Sequence, residues 1–164
     1  APRGGDRPTW IGDLMQMPQV PDGRYDAVVS HQVLEHLPRP WDALTEFHRV
    51  LRRGGVLVIS VPHLSRRHEL PHDYFRFTQE GLASLLHDAG FEDIVVRPVG
   101  GLLGFLHHQV SCIFPGVLAP LPFLGAALAL LNLPLAWLAF WFDSILDRAA
   151  LAPAAIMATA RRPA

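Results

Sequence analysis

Five of the nine histidines in this chain fall where the polypeptide leaves a strand-like run, and they raise the first chemical question. His31 and His36 follow the run 25–30; His63, His68 and His72 follow the run 56–61. Imidazole titrates near neutral pH, so a histidine held at such a point can take or deliver a proton. His36 and His72 are the candidates for a general base, and each has an acidic neighbour, Glu35 and Asp73 respectively. A plainer reading stands beside this one: Glu35 and His36 open a helix, and His72 hydrogen-bonds its own loop. His87 and His48 read as helix residues, while His107 and His108 begin an apolar segment and mark an interface there.

The elements that would position these side chains are legible from pattern. Thr9-Trp10-Ile11 is a short strand candidate ending at Gly12-Asp13, and Pro18, Pro21 and Asp22-Gly23 then make a turn. The run 25–30 (Tyr-Asp-Ala-Val-Val-Ser) has the composition of a strand buried in a parallel sheet. Spacing predicts a helix over 41–51, with Trp41, Leu44, Phe47 and Leu51 on one face, and Arg52-Arg53-Gly54-Gly55 signals its end. The run 56–61 is the strongest strand, stopped by Pro62. Thr78 can cap a helix whose apolar face is Leu82, Leu85, Leu86 and Ala89, closed by Gly90. Residues 94–96 and 155–160 complete the strands.

Strand, helix, strand, helix, strand is the grammar of an α/β sheet with parallel crossovers. Ligands of such sheets sit outside the carboxyl ends of the strands. The positions to interrogate are therefore Asp13 and Leu14, then Ser30 to His36, then the residues after Pro62.

Composition narrows the function classes. The chain has 164 residues and a formal net charge of -1, which gives no basic field for nucleic acid. All 14 basic residues are Arg, a codon-composition bias rather than a binding surface. A single cysteine, Cys112, excludes an internal disulfide framework and suits a reducing compartment. No secretory signal is visible at the N-terminus, so a cytoplasmic location is expected. From Val99 to Phe142 there is no Asp, Glu, Lys or Arg, although the preceding part reads as an ordinary soluble domain.

At the strand ends the sequence resembles the class I S-adenosylmethionine-dependent methyltransferases, particularly the small-molecule and glycan type. The matching stretches are Gly12-Asp13-Leu14, Tyr25 to Ser30, Val33-Leu34-Glu35-His36-Leu37-Pro38 and Arg49 to Pro62. His72-Asp73-Tyr74-Phe75-Arg76-Phe77-Thr78 and Ala89-Gly90-Phe91 continue the match, in order and with normal spacing, over about residues 9–98. The resemblance implies a Rossmann-like methyltransferase sheet of strand order 3-2-1-4-5-7-6. This chain would supply strands three to seven and lack the glycine loop, an N-terminally incomplete fold with strand three left unpaired. The expected organisation is a core over 1–98, an apolar helical insertion over 99–150, and a last strand and tail over 151–164.

The resemblance also implies site roles. Asp13 would accept from the adenine amino group of S-adenosylmethionine, and the Leu14 backbone would meet the ring edge. Asp13 as a turn residue after Gly12 is the structural alternative. Ser30, His31 and Gln32 would line the methionine end and the substrate mouth. Glu35-His36 with His72 further resembles two O-methyltransferase groups that hold substrate hydroxyls with a divalent metal ion, the small-RNA 2′-hydroxyl and the quinone-biosynthesis enzymes. The former carry another Glu three residues before the pair, where this chain has Gln32. Glu35, His36 and His72 would form a three-ligand site with open positions; a metal-free histidine base is the competing reading.

The uncharged segment is long enough for a membrane span, but Pro115, Pro120, Pro122 and Pro134 are expected to break it into pieces. Trp137 and Trp141 favour a membrane interface. A hairpin dipping into one leaflet or covering the cleft fits, as does a helical insertion packed on the sheet or on a second subunit of a homodimer. The expected function is methyl transfer to a hydroxyl of a small-molecule, glycan or lipid-linked acceptor, with nucleic acid disfavoured by charge. The alternative is a non-catalytic methyltransferase remnant serving as an interaction or membrane-associated module.

Overall fold

The computed structural model describes residues 11–118, 122–146 and 152–164. Their strands are β1 (Tyr25–His31), β2 (Leu51–Pro62), β3 (Glu92–Val99) and β4 (Ala155–Arg161), in one sheet of order β1-β2-β4-β3. Helix α1 (Pro40–Val50) links β1 to β2, and α2 (Gln79–Asp88) links β2 to β3. The helices α3 (Leu102–Leu118) and α4 (Pro122–Leu146) intervene between β3 and β4. β1 and β2 are parallel, whereas β4 runs antiparallel to both of its neighbours. This is the 4-5-7-6 end of the expected strand order, with the last strand reversed and inserted. Thr9 and Trp10 lie outside the described residues, and Ile11 is exposed coil.

One face of the sheet carries the core. Leu57, Ile59 and Val61 of β2 and Ile156, Ala158 and Ala160 of β4 bury themselves against Ala43, Leu44 and Phe47 of α1 and Leu82 and Leu86 of α2. Along β4 the intervening Met157, Thr159 and Arg161 are exposed, the alternation of a sheet covered on one side. β1 departs from the buried strand that its composition predicts. Its Asp26, Ala27 and Val29 are exposed, because β1 is an edge of the described sheet and its second face has no helix on it.

Helix ends show why the chain turns where it does. α1 stops at Val50, one residue short of the predicted end, and Leu51 already belongs to β2. Arg52-Arg53-Gly54-Gly55 sits inside that strand, where the β1 register jumps from Tyr25↔Leu51 to Ala27↔Val56. Gly54 has φ 71, and a Cβ at Gly55 would fall 2.8 Å from the Arg52 carbonyl, so the pair forms the irregularity. Arg162 donates to the Arg49 and Leu51 carbonyls at the end of α1, a favourable position for a cation. Thr78 caps α2 as expected, accepting from Gly81 N at 3.0 Å.

Two long helices, α3 and α4, make up most of the uncharged segment. Pro122 begins α4 and Pro134 lies inside it without ending it, so the prolines divide the segment less than their number suggests. Asp143 of α4 is buried and accepts from the amides of Leu103 and Gly104 in the first turn of α3. Among the described residues no helix is long and apolar enough to cross a membrane.

Candidate active site

The carboxyl ends of β1 and β2 meet at Ser60. Its carbonyl accepts from Gln32 N at 2.9 Å, and its hydroxyl lies 3.1 Å from Gln32 Nε2 and 2.6 Å from His31 Nδ1. Gln32 Nε2 can only donate, and the hydroxyl keeps both its proton and a second lone pair for His31 Nδ1. Gln32 itself has φ 51, a left-handed conformation that non-glycine residues seldom adopt away from constrained sites.

This knot separates two openings. An apolar groove of about 250 Å³ is lined by Leu14, Met17, Val28, Val29, Ser30 and His31 among others. A polar cleft of about 450 Å³ is lined by Gln32, His36, His68, Glu69 and His72. His31 and Gln32 are consecutive, yet they face different openings.

Asp13 is not among the residues that line the apolar groove; it is exposed beside Leu14, which does line it, and its Oδ1 accepts from Met15 N at 2.9 Å as a turn residue. Ser30 is buried, and its hydroxyl has no hydrogen-bond partner. The sequence-predicted residues Leu14, Ser30 and His31 are thus brought to one surface, while Gln32 belongs to the neighbouring cleft.

At the polar cleft, Glu35 and His36 lie in a 3-10 turn (Leu34–His36). His36 Nδ1 lies 2.6 Å from the carbonyl of His72. A carbonyl only accepts, so Nδ1 carries the proton and the Nε2 lone pair is the basic site, 3.7 Å from Glu35 Oε1. Glu35 is wholly buried, and neither carboxylate oxygen has a hydrogen-bond partner. Burial pushes its carboxyl above the usual glutamate value, with His36, His68 and Arg76 pulling in the other direction. The Glu35 carbonyl accepts from Tyr74 N and Phe75 N, which draws the 68–76 loop over this turn.

His72 does not stand where the three-ligand expectation put it. Its Nδ1 lies 3.1 Å from the Tyr74 hydroxyl, and its contact to His36 is made by its backbone. The ligand atoms that converge, within 4.8 Å of one another, are those of Glu35, His36 and His68. The rings of His36 and His68 meet edge to face at 4.9 Å. His68 is held by Asp73, whose Oδ2 accepts from His68 N at 3.0 Å while Arg76 pairs with both Asp73 oxygens. Those hydrogen bonds hold the Asp73 carboxyl well below the usual range and keep it charged. His63 is structural, with Nδ1 at 2.6 Å from the Phe77 carbonyl.

Sequence reasoning missed Ser60 and the precedence of His68 over His72. Ser60 is the one polar residue inside the apolar run 56–61, and no spacing rule singles it out. The choice between His68 and His72 depends on the Asp73–Arg76 clamp folding the loop, and no spacing rule shows that.

Comparison with known proteins follows this geometry. Residues 3–59 match the family model described as a methyltransferase domain. A protein of Mycolicibacterium smegmatis named a probable S-adenosylmethionine-dependent methyltransferase is 39% identical over 90 residues, covering 49% of this chain and 34% of the relative. The demethylmenaquinone methyltransferase of Staphylococcus epidermidis strain RP62A is 29% identical over 126 residues, covering 58% and 52%. Among solved structures, an S-adenosylmethionine-dependent methyltransferase from Archaeoglobus fulgidus superposes with a TM-score of 0.55 at 17% identity, covering 92% of this chain and 65% of that one. The cyclase SpnF gives 0.55 at 24% identity, covering 93% and 55%. The α/β sheet is therefore the Rossmann-like sheet of these proteins. Over residues 3–59 the chain matches the methyltransferase-domain family, and it spans about a third of the mycobacterial relative's length and about half of the staphylococcal one's.

Proposed function

We propose that the protein containing this chain transfers a methyl group from S-adenosylmethionine to a hydroxyl of a small-molecule, glycan or lipid-linked acceptor. One observation carries the reading: His31 and Gln32, knotted to Ser60, part an apolar groove from a histidine-lined cleft. In this assignment the groove takes the adenosyl part. Asp13 accepts from the exocyclic amine with the oxygen its turn leaves free, Leu14 meets the ring edge, and Ser30, His31 and Gln32 line the methionine end. The bound cofactor supplies an electrophilic methyl group, and the chain's task is to align acceptor and methyl carbon and to remove the acceptor proton.

His36 is the proton acceptor at the cleft, with its tautomer set by the His72 carbonyl and its basic Nε2 turned toward Glu35. His72 lines the same cleft and acts on His36 through its main chain. The competing reading is a divalent ion, which would occupy the same His36 Nε2 lone pair in place of a proton and fits Glu35, His36 and His68 better than Glu35, His36 and His72. The orphaned buried carboxylate and the carbonyl-fixed imidazole are what such a site requires of its ligands. When bound, the ion would acidify an acceptor hydroxyl. A cytoplasmic protein peripheral to the membrane suits a lipid-linked acceptor, and the exposed apolar side chains of α4 support that placement.

The test is methyl transfer from labelled S-adenosylmethionine by the full-length protein, offered hydroxyl acceptors with and without a lipid tail. Asp13→Ala should weaken cofactor binding by about 1.5–3 kcal/mol, the range for a hydrogen bond to a charged group. Asp13→Ser, which can keep the turn, should be almost as weak. Unchanged binding in both would remove Asp13 from the site. Activity that survives chelator while His36→Ala remains dead would leave histidine as the base and exclude the ion.

A further inference from the structure

The turn that presents Asp13 and Leu14 is locally self-contained. Met15 N donates to Asp13 Oδ1, Gln16 N to the Asp13 carbonyl, and Val20 N to the Met17 carbonyl. Such bonds shape the turn but do not fix its place against the sheet. Among the described residues, every hydrogen bond leaving the segment 13–23 ends on Glu46 or Arg49 of α1. Glu46 Oε2 accepts from Met17 N at 2.6 Å, and the Arg49 carbonyl accepts from Gly23 N at 2.9 Å.

Arg49 commits its whole guanidinium to this junction. Nε and Nη2 donate to the two oxygens of Glu46, Nη2 also to the Met17 carbonyl, and Nη1 to the Val20 carbonyl and Asp22 Oδ1. Five hydrogen bonds match the five N–H donors of the side chain. Two backbone carbonyls three residues apart are thereby held by one rigid planar fork, which a lysine's point charge cannot reproduce. Arg49 sits in the last turn of α1, immediately before β2 begins at Leu51. The helix end that leads into the Ser60 strand is thus the element that sets the cofactor turn.

We propose that Arg49 and Glu46 are positioning residues for S-adenosylmethionine, fixing the turn that carries Asp13 and Leu14 relative to the β1–β2 strand ends. The inference rests on the proposed cofactor role of Asp13 and Leu14. Neither residue lines the groove itself; they bond the backbone of Met17, which does, and act through the height and tilt of the turn. A small misplacement of a positioned group is costly in binding and rate, which gives such a clamp a functional effect beyond its local bonds.

The experiment uses the full-length protein with Arg49→Lys and Glu46→Gln. Cofactor Kd by calorimetry, steady-state constants, thermal midpoint and amide hydrogen exchange are read on each. Arg49→Lys should raise the Kd and KM for S-adenosylmethionine about tenfold or more, the effect of losing charged hydrogen bonds at the turn. kcat at saturating cofactor and the acceptor KM should stay within about twofold, as expected when ground-state positioning is lost. The amides of Met17 and Gly23 should exchange faster while those of β2 do not. A merely structural role would lower the active fraction, and with it kcat, and leave KM unchanged; that result overturns the inference. Should Arg49→Lys fail to fold, Glu46→Gln, with a smaller rise expected, decides the same comparison. If the unaltered protein binds no S-adenosylmethionine, the methyltransferase reading itself fails; if it binds and both variants bind equally well, this inference alone fails.

Discussion

His36 is oriented by His72 through the backbone, Nδ1 to carbonyl oxygen at 2.6 Å, and the His72 ring takes no part in that bond. Two histidines that look equivalent in the sequence therefore have unequal chemistry. His36→Ala removes the basic Nε2 and should lower kcat by about 10²–10⁴, the range for a positioned general base. His72→Ala retains the carbonyl and should cost far less, with the acceptor KM affected more than kcat. Steady-state kinetics of both variants check this, and equal losses would place the His72 ring at the reacting centre.

A pH prediction comes from Glu46. Its carboxyl is held below the usual value by the hydrogen bonds from Arg49 first, and also by the Met17 amide. A depressed folded-state value means that, between the folded and unfolded values, the unfolded chain binds more protons than the folded one. The stabilisation is fully present above the unfolded-state value of about 4.3 and is lost as pH falls through the folded value. Glu46→Gln should flatten the fall of unfolding free energy between neutral pH and pH 3 in denaturant titrations. A variant as steep as the parent would show that the pair contributes nothing to the acid transition.

Much of this architecture is legible in the sequence. The strands at 25–30, 56–61, 94–96 and 155–160 lie within β1, β2, β3 and β4, and the helix read between Thr78 and Gly90 is α2, with Thr78 as its cap, because local pattern decides them. The end of α1 was displaced by one residue, since tertiary pairing of β2 with β1 claimed Leu51. β1 reads as buried because apolar composition cannot say that only one face of its sheet is covered. At the site, types and approximate places were legible, but the partners were not. Ser60 joins His31 and Gln32 across about thirty residues of chain, and His68 owes its place to Asp73 and Arg76, so both depend on how strands and loop are brought together.

Asp143 offers a stability test in the apolar part of the chain. Asp143 follows the uncharged segment, is buried, and caps α3 through the amides of Leu103 and Gly104, at 2.8 and 2.7 Å. Asp143→Ala leaves both amides without their acceptor and should cost about 1–3 kcal/mol. For a chain of this size that is about 2–4 °C of thermal midpoint per kcal/mol. Gly104→Ala should act at the same contact, because its Cβ would stand 2.9 Å from the Phe140 ring and 3.0 Å from Asp143 Oδ2. Calorimetric scans showing both variants at the parent midpoint would mean that the α3–α4 junction carries no stability.

The exposed apolar side chains of α4 offer a test of the proposed lipid-linked acceptor. Leu130, Leu133 and Trp137 share one side of α4 by helical spacing, Leu130 at 79% and Leu133 at 76% exposed, and no charged residue precedes Asp143 on this helix. Apolar side chains crowded in this way mark an interaction surface more often than scattered single ones do. Trp137, 67% exposed, has the amphipathic ring suited to headgroup depth. Among the described residues no helix is long and apolar enough to cross a membrane, and the lipid-linked acceptor proposed above calls for surface contact through this face. The full-length protein should float with liposomes, and Leu133→Glu with Trp137→Glu should return it to the aqueous fraction without lowering its thermal midpoint, since neither side chain is buried. The same double variant should lose activity toward lipid-tailed acceptors while keeping it toward their soluble headgroups. If the parent protein stays in the aqueous fraction as a dimer that the double variant converts to monomer, the face is a subunit interface, and the lipid-linked acceptor loses its physical support.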